Sequence, residues 1–72
     1  MEPDWHTAEN DTFYTATLGP CQLSVFKTMF GNFSYTVSYS HRTRRAGNTG
    51  DLETAKAEAL RLARELNANP PD

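Results

Sequence analysis

The stretch Phe13-Tyr14-Thr15-Ala16-Thr17-Leu18-Gly19-Pro20-Cys21-Gln22-Leu23-Ser24-Val25-Phe26 decides the fold. It alternates with period two, is rich in Thr, Tyr, Phe and Val, and is punctuated once, at Gly19-Pro20. Such alternation is strand chemistry, and Gly-Pro marks a turn. A two-residue turn there sets Leu18 opposite Cys21, Ala16 opposite Leu23 and Tyr14 opposite Val25. Those six apolar residues then share one face. Phe13 faces Phe26 on the other, beside Thr15, Thr17, Gln22 and Ser24.

The same chemistry continues to Ser40, interrupted by Gly31-Asn32. A two-residue loop at Gly31-Asn32 would split the apolar set between faces. Taking Phe30-Gly31-Asn32 as the loop instead places Met29 opposite Phe33, Val25 opposite Val37 and Leu23 opposite Tyr39. Because a one-residue slip inverts a whole strand, burial favours this odd-length loop or a bulge, with Gly31 or Asn32 at positive φ. Three strands, at roughly 13–18, 21–29 and 33–40, form an antiparallel meander with the second strand central.

From residue 51 to 67 the period changes to 3.6. Asp51 is a good N-cap, and Leu52, Ala55, Ala59, Leu62, Ala63 and Leu66 fall on one helical stripe. Glu58, Arg61, Arg64 and Glu65 fill the outer side with i,i+3 and i,i+4 charge pairs. The expected fold is α+β: a three-stranded antiparallel meander with one C-terminal helix packed on one face, β-β-β-α. The helix covers Tyr14, Ala16, Leu18, Leu23, Val25, Phe33, Tyr35, Val37 and Tyr39. The domain spans 12–67, preceded by an acidic segment, 1–11, anchored by Trp5. A polar tail begins at Asn67, with 68–72 disordered.

The opposite sheet face is left open. Apart from Phe13 and Phe26 it carries small hydroxylated side chains, among them Thr15, Ser24, Thr36 and Ser38. Trp5 is the one anchor available to cover it. The Phe pair reads either as an apolar docking spot or as a cross-strand pair capped by Trp5.

At 72 residues the chain holds one small core, with room for one domain and no deep cofactor cleft. Its single cysteine makes no internal disulfide, which suits a reducing compartment such as the cytoplasm. The acidic start is no leader peptide, and no apolar run spans a membrane. Charge is unevenly spread: residues 1–11 carry four acids and no Lys or Arg, while 12–50 carry Lys27, Arg42, Arg44 and Arg45 and no acid. A formal net charge of -2 argues against a dedicated nucleic-acid coat.

The spacing of Trp5, Tyr14-x-Ala16-x-Leu18, Leu23-x-Val25, Phe33-x-Tyr35-x-Val37, a glycine-bearing loop and Leu52-Glu53-x-Ala55-Lys56 resembles small β-β-β-α proteins of phage, prophage and bacterial origin. The likeness covers about residues 5–66 and lies mostly in core positions. The expected strand order is also similar to DNA-binding domains of the AP2 and integrase-arm type, which lay a three-stranded sheet in the major groove. Those domains present Arg, Lys and Trp from the sheet, where this chain presents Ser and Thr.

No catalytic set, metal site or cofactor site emerges, and an enzyme is not expected. Cys21 faces inward, where a free cysteine behaves as a small hydrophobe rather than a nucleophile. His6, Cys21 and His41 lack metal-ligand spacing. Gly47-Asn48-Thr49-Gly50 lacks the ending of a phosphate loop and reads as a flexible loop before the Asp51 cap. The His41–Arg45 cluster reads as a basic loop gripping phosphates or an acidic surface, or as a solvated loop balanced by the N-terminal acids. The expectation is a non-enzymatic interaction protein, phage- or prophage-encoded, that docks on a host protein or on itself. Phe13, Phe26, Lys27, Arg42, Arg44 and Arg45 are its candidate partner-binding residues. The alternative is a DNA- or RNA-binding domain using the same sheet with those cations on phosphates. A free edge strand and a flat hydroxylated face permit a homodimer.

Overall fold

A computed structural model describes residues 4–8 and 12–70. The N-terminal acids Glu2, Glu9 and Asp11, and Pro71 and Asp72 at the other end, lie outside them. The sheet has five strands rather than three: β1 (His6–Ala8), β2 (Phe13–Leu18), β3 (Cys21–Lys27), β4 (Phe33–Tyr39) and β5 (Thr43–Thr49). All are antiparallel, in the order β1-β2-β3-β4-β5, and α1 (Leu52–Ala68) follows. The α+β class and the C-terminal helix are as expected; the strand count is corrected.

The first hairpin has the expected register, Leu18 with Cys21 through Phe13 with Phe26. Gly19 takes φ +61, the left-handed value that the first centre of a type II′ turn requires, and Pro20 follows it. The second loop is odd-length: Thr28 N–H donates to Asn32 O (2.8 Å), leaving Met29, Phe30 and Gly31 at the tip, with Gly31 at φ +89. The pairing itself differs from expectation by two residues. Val25 stands opposite Tyr35, Leu23 opposite Val37 and Cys21 opposite Tyr39. An even shift preserves every face, so burial alone could not separate the two registers.

The two extra strands carry no apolar alternation. Thr43-Arg44-Arg45-Ala46-Gly47-Asn48-Thr49 contains one aliphatic side chain, and the turn before it uses Ser40 (φ 50) and His41 (φ 60) in place of glycine. Two positive φ values in succession mark a type I′-like hairpin turn, an arrangement that neither residue advertises. Gly47 therefore lies in a strand, not in a flexible loop. β1 is held through Trp5, which packs against the core, and Lys56 Nζ sits 5.6 Å from its ring centroid and 4.8 Å from that of Tyr14. Thr7 pairs with Tyr14, so Trp5 falls on the helix side of the sheet. Of the two readings of the Phe13–Phe26 pair, this placement removes the one in which Trp5 caps it.

Helix α1 starts as expected at Asp51, whose carboxylate accepts from Thr54 N–H (2.9 Å) and Thr54 Oγ1 (3.1 Å). Ala55, Ala59 and Ala63 are fully buried, so the axis lies close above Leu23, Val25 and Val37. Burying each of those larger side chains contributes roughly 1.5–3 kcal/mol. Leu66 completes the stripe, Leu52 and Leu62 pack half-buried against it, and Leu60, off the expected stripe, is also buried. At Asn67, where the polar tail begins, Nδ2 donates to Leu18 O (3.2 Å), tying the last helical turn to the first hairpin. Ala68 ends the helix and Asn69 caps it, donating its N–H to Glu65 O.

Candidate docking site

The alternation of β2 to β5 leaves one face without a helix. Its rows run Phe13–Phe26–Ser34–Asn48, Thr15–Ser24–Thr36–Ala46 and Thr17–Gln22–Ser38–Arg44. His6 extends the middle row at the β1 edge. The middle and last rows line a shallow depression of about 630 Å³, from His6 and Thr15 to Ser38 and Arg44. With four strand spacings between them, β1 and β5 stand about 19 Å apart. Asn48 Nδ2 donates to Ser34 Oγ (2.9 Å) across the β5 side.

The apolar character of this face is concentrated at one end. Phe13 and Phe26 are 37% and 40% exposed, and they adjoin the tip of the second hairpin, where Met29 is 91% and Phe30 86% exposed. The tip is well bonded: Gly31 N–H donates to Thr28 O (3.1 Å), Phe30 N–H to Thr28 Oγ1 (3.2 Å), and Thr28 Oγ1 to Asn32 Oδ1. Two large apolar side chains are thus held in water by a closed turn. Sequence reasoning placed Met29 in a strand and Phe30 in a loop and assigned neither a role. The pair Met29-Phe30 beside Gly31 was the signal available, since apolar residues at a tight turn have nowhere to bury.

The six expected partner-binding residues are not brought together. Phe13 and Phe26 share the apolar end, and Arg44 lies on the same face, about 13 Å further along the strand direction and two strands across from Phe26. Arg42 belongs to the turn after β4; its N–H donates to Tyr39 O (2.9 Å). Arg45 pairs with Val37 and Lys27 with Phe33, which puts both on the helix side of the sheet. The expected 41–45 loop is therefore a short turn followed by a strand that sends neighbouring arginines to opposite faces. Among the described residues, none of these cations forms an ion pair; the charge pairs are Arg61 with Glu58 (3.0 Å) and with Glu65 (2.8 Å), on the outside of α1.

Cys21 is fully buried, its Sγ 3.7 Å from Ala63 O and 3.6 Å from Asn67 Oδ1, and burial pushes its thiol pKa up. It lies on the helix side, His6 on the open side and His41 at the β4–β5 turn, so these three side chains do not converge. No helix among the described residues is long and apolar enough to cross a membrane.

Comparison with protein-family models, with curated proteins and with solved structures returned no match. The likeness read from residues 5–66 rests on those residues alone. Its AP2 and integrase-arm aspect implies three strands, and this sheet has five.

Proposed function

We propose that the chain is a non-enzymatic interaction module that docks on a protein through the apolar end of its open sheet face. The observation that supports this is the exposure of the Phe13–Phe26 pair and of Met29 and Phe30 on the hairpin that follows β3. Met and aromatic side chains are favoured at protein interfaces, and a few of them carry most of the binding energy. A turn already closed by its own hydrogen bonds loses little freedom on docking. Arg44 and the hydroxyls of the remaining face then serve as the polar rim.

The test compares proteins captured from a cell lysate by the wild type and by a Met29→Ser/Phe30→Ser double variant, each checked for folding by circular dichroism. The reading expects partners held by the wild type to be lost by the double variant. Retention of every partner, or capture of none by either protein, refutes it.

A second reading, DNA or RNA on the same face, draws on a different observation: strands β2 to β5 contain no acidic residue. Phe13 and Phe26 would stack on bases, and Arg44 and Arg42 would meet phosphates. It expects amide shifts at Thr15, Ser24, Ser38 and Arg42 to Arg45 on adding random-sequence duplex DNA at low salt, disappearing as salt rises. Docking through the apolar end expects neither the shifts nor the salt dependence.

A further inference from the structure

The two edges of the sheet are built differently. On one side, β1 is three residues long and is clasped through Trp5 under Lys56. On the other, β5 runs seven residues with no proline and an uninterrupted pairing with β4. Short edge strands, prolines, bulges and charged side chains are the usual protections against strand addition; β5 lacks the first three and carries only charge, Arg44 and Arg45.

The hydrogen-bond alternation identifies which backbone groups of β5 face outward. Lys27 N–H donates to Thr12 O and Thr28 N–H to Asn32 O, so odd residues of β3 bond toward β2 and even ones toward β4. Carried across antiparallel pairs, the same parity makes odd residues of β4 and β5 bond to each other. The N–H and C=O groups of Arg44, Ala46 and Asn48 therefore point away from the sheet. Arg45 Nη1 donates to Arg44 O at 3.2 Å, folding a guanidinium back over one of these outward carbonyls.

We propose that the β5 edge accepts an extended acidic peptide segment as a sixth strand, with its carboxylates on Arg42, Arg44 and Arg45. Charge selects the occupant. Pairing β5 with a second copy would bring no acid to these arginines, because Thr43–Thr49 contains none, and would only add like charge along the edge. An acidic strand instead meets cations on both faces of the edge, Arg44 on the open side and Arg45 on the helix side. On its arrival the guanidinium of Arg45 leaves the Arg44 carbonyl, which takes a backbone N–H, and turns to a carboxylate. Main-chain bonding supplies the affinity and the arginines the selectivity. This inference uses a different part of the molecule from the apolar end and does not depend on it.

The experiment uses the full chain, 15N-labelled, with a blocked Glu/Val hexapeptide whose glutamates occupy neighbouring positions, so that carboxylates reach both faces of the edge, and the corresponding Lys/Val hexapeptide as control. At saturation with the acidic peptide, amide hydrogen exchange at Arg44, Ala46 and Asn48 should slow by about tenfold or more. Amides at Arg45 and Gly47, already bonded inward, should change little. Ala46→Pro removes one outward donor at a position where an edge strand tolerates proline, and should abolish the protection. Should that variant not fold, Arg44→Ala/Arg45→Ala serves instead and should weaken binding by about tenfold. Equal protection by the Lys/Val peptide overturns the proposal. So does no protection by either peptide, or protection that grows with protein concentration alone, the mark of a second copy on the edge.

Discussion

Gly47→Ala is the substitution whose consequence the structure defines most sharply. Gly47 has no left-handed φ, so alanine is conformationally acceptable there, and in an open strand the exchange stabilises by about 0.4–1 kcal/mol through the unfolded chain. The space, however, is taken by Tyr35, directly opposite on β4. A Cβ at Gly47 stands 2.9 Å from Tyr35 Cε1 and closer still to Cζ and the hydroxyl. The ring has to swing away or β5 has to lift, and overpacking of this kind costs about 1–3 kcal/mol. The clash outweighs the entropic gain, leaving a net loss of about 1–2 kcal/mol. In a domain this small that lowers Tm by roughly 5–15 °C. Thermal melts by circular dichroism of four proteins check it: wild type, Gly47→Ala, Tyr35→Thr and the double variant. In the Tyr35→Thr background, Gly47→Ala should be neutral or stabilising, giving a coupling of about 1–3 kcal/mol. A Gly47→Ala protein as stable as the wild type, or strictly additive variants, would refute the argument that Tyr35 dictates glycine there.

Cys21 should resist iodoacetamide in the native protein and react at once in urea, because the thiol is fully buried and its pKa raised; rapid native alkylation, read by mass spectrometry, contradicts the packing. Lys56→Met should loosen Trp5 and lower stability by about 0.5–1 kcal/mol, visible as a red shift of tryptophan emission; an unchanged spectrum removes the clasp on β1. Glu58 has its carboxyl held below the ordinary range, first by the hydrogen bond from Arg61 and then by that residue's charge. A pKa lowered in the folded state contributes stability above the unfolded value that disappears as pH falls through the folded one. The small Tm deficit of Glu58→Gln at neutral pH should therefore vanish in acid, and a deficit independent of pH counts against the pairing.

Phe13 to Phe26, the β2–β3 hairpin and α1 were determined by the sequence itself. There, period two, period 3.6, a Gly-Pro turn and an aspartate cap all act within a few residues, and one face must be buried. The same alternation placed Phe13 and Phe26 together on the open side and Cys21 in the core. Tertiary structure alone decided the rest. The β3–β4 register could slide by two residues without moving a side chain to the other face. β5 is held by backbone pairing to β4 and by the Tyr35 ring over Gly47, neither of which leaves a hydrophobic pattern in Thr43 to Thr49. Trp5 was legible as an anchor but not as to side, because its partner Lys56 lies 51 positions away along the chain. The arginines at 42, 44 and 45 are neighbours in sequence, yet a strand's alternation sends Arg44 and Arg45 to opposite faces, whereas Phe13 and Met29, 16 positions apart, share one end of the sheet. Periodicity records which face a side chain takes; which strand lies beside it depends on pairings between segments that local sequence does not encode.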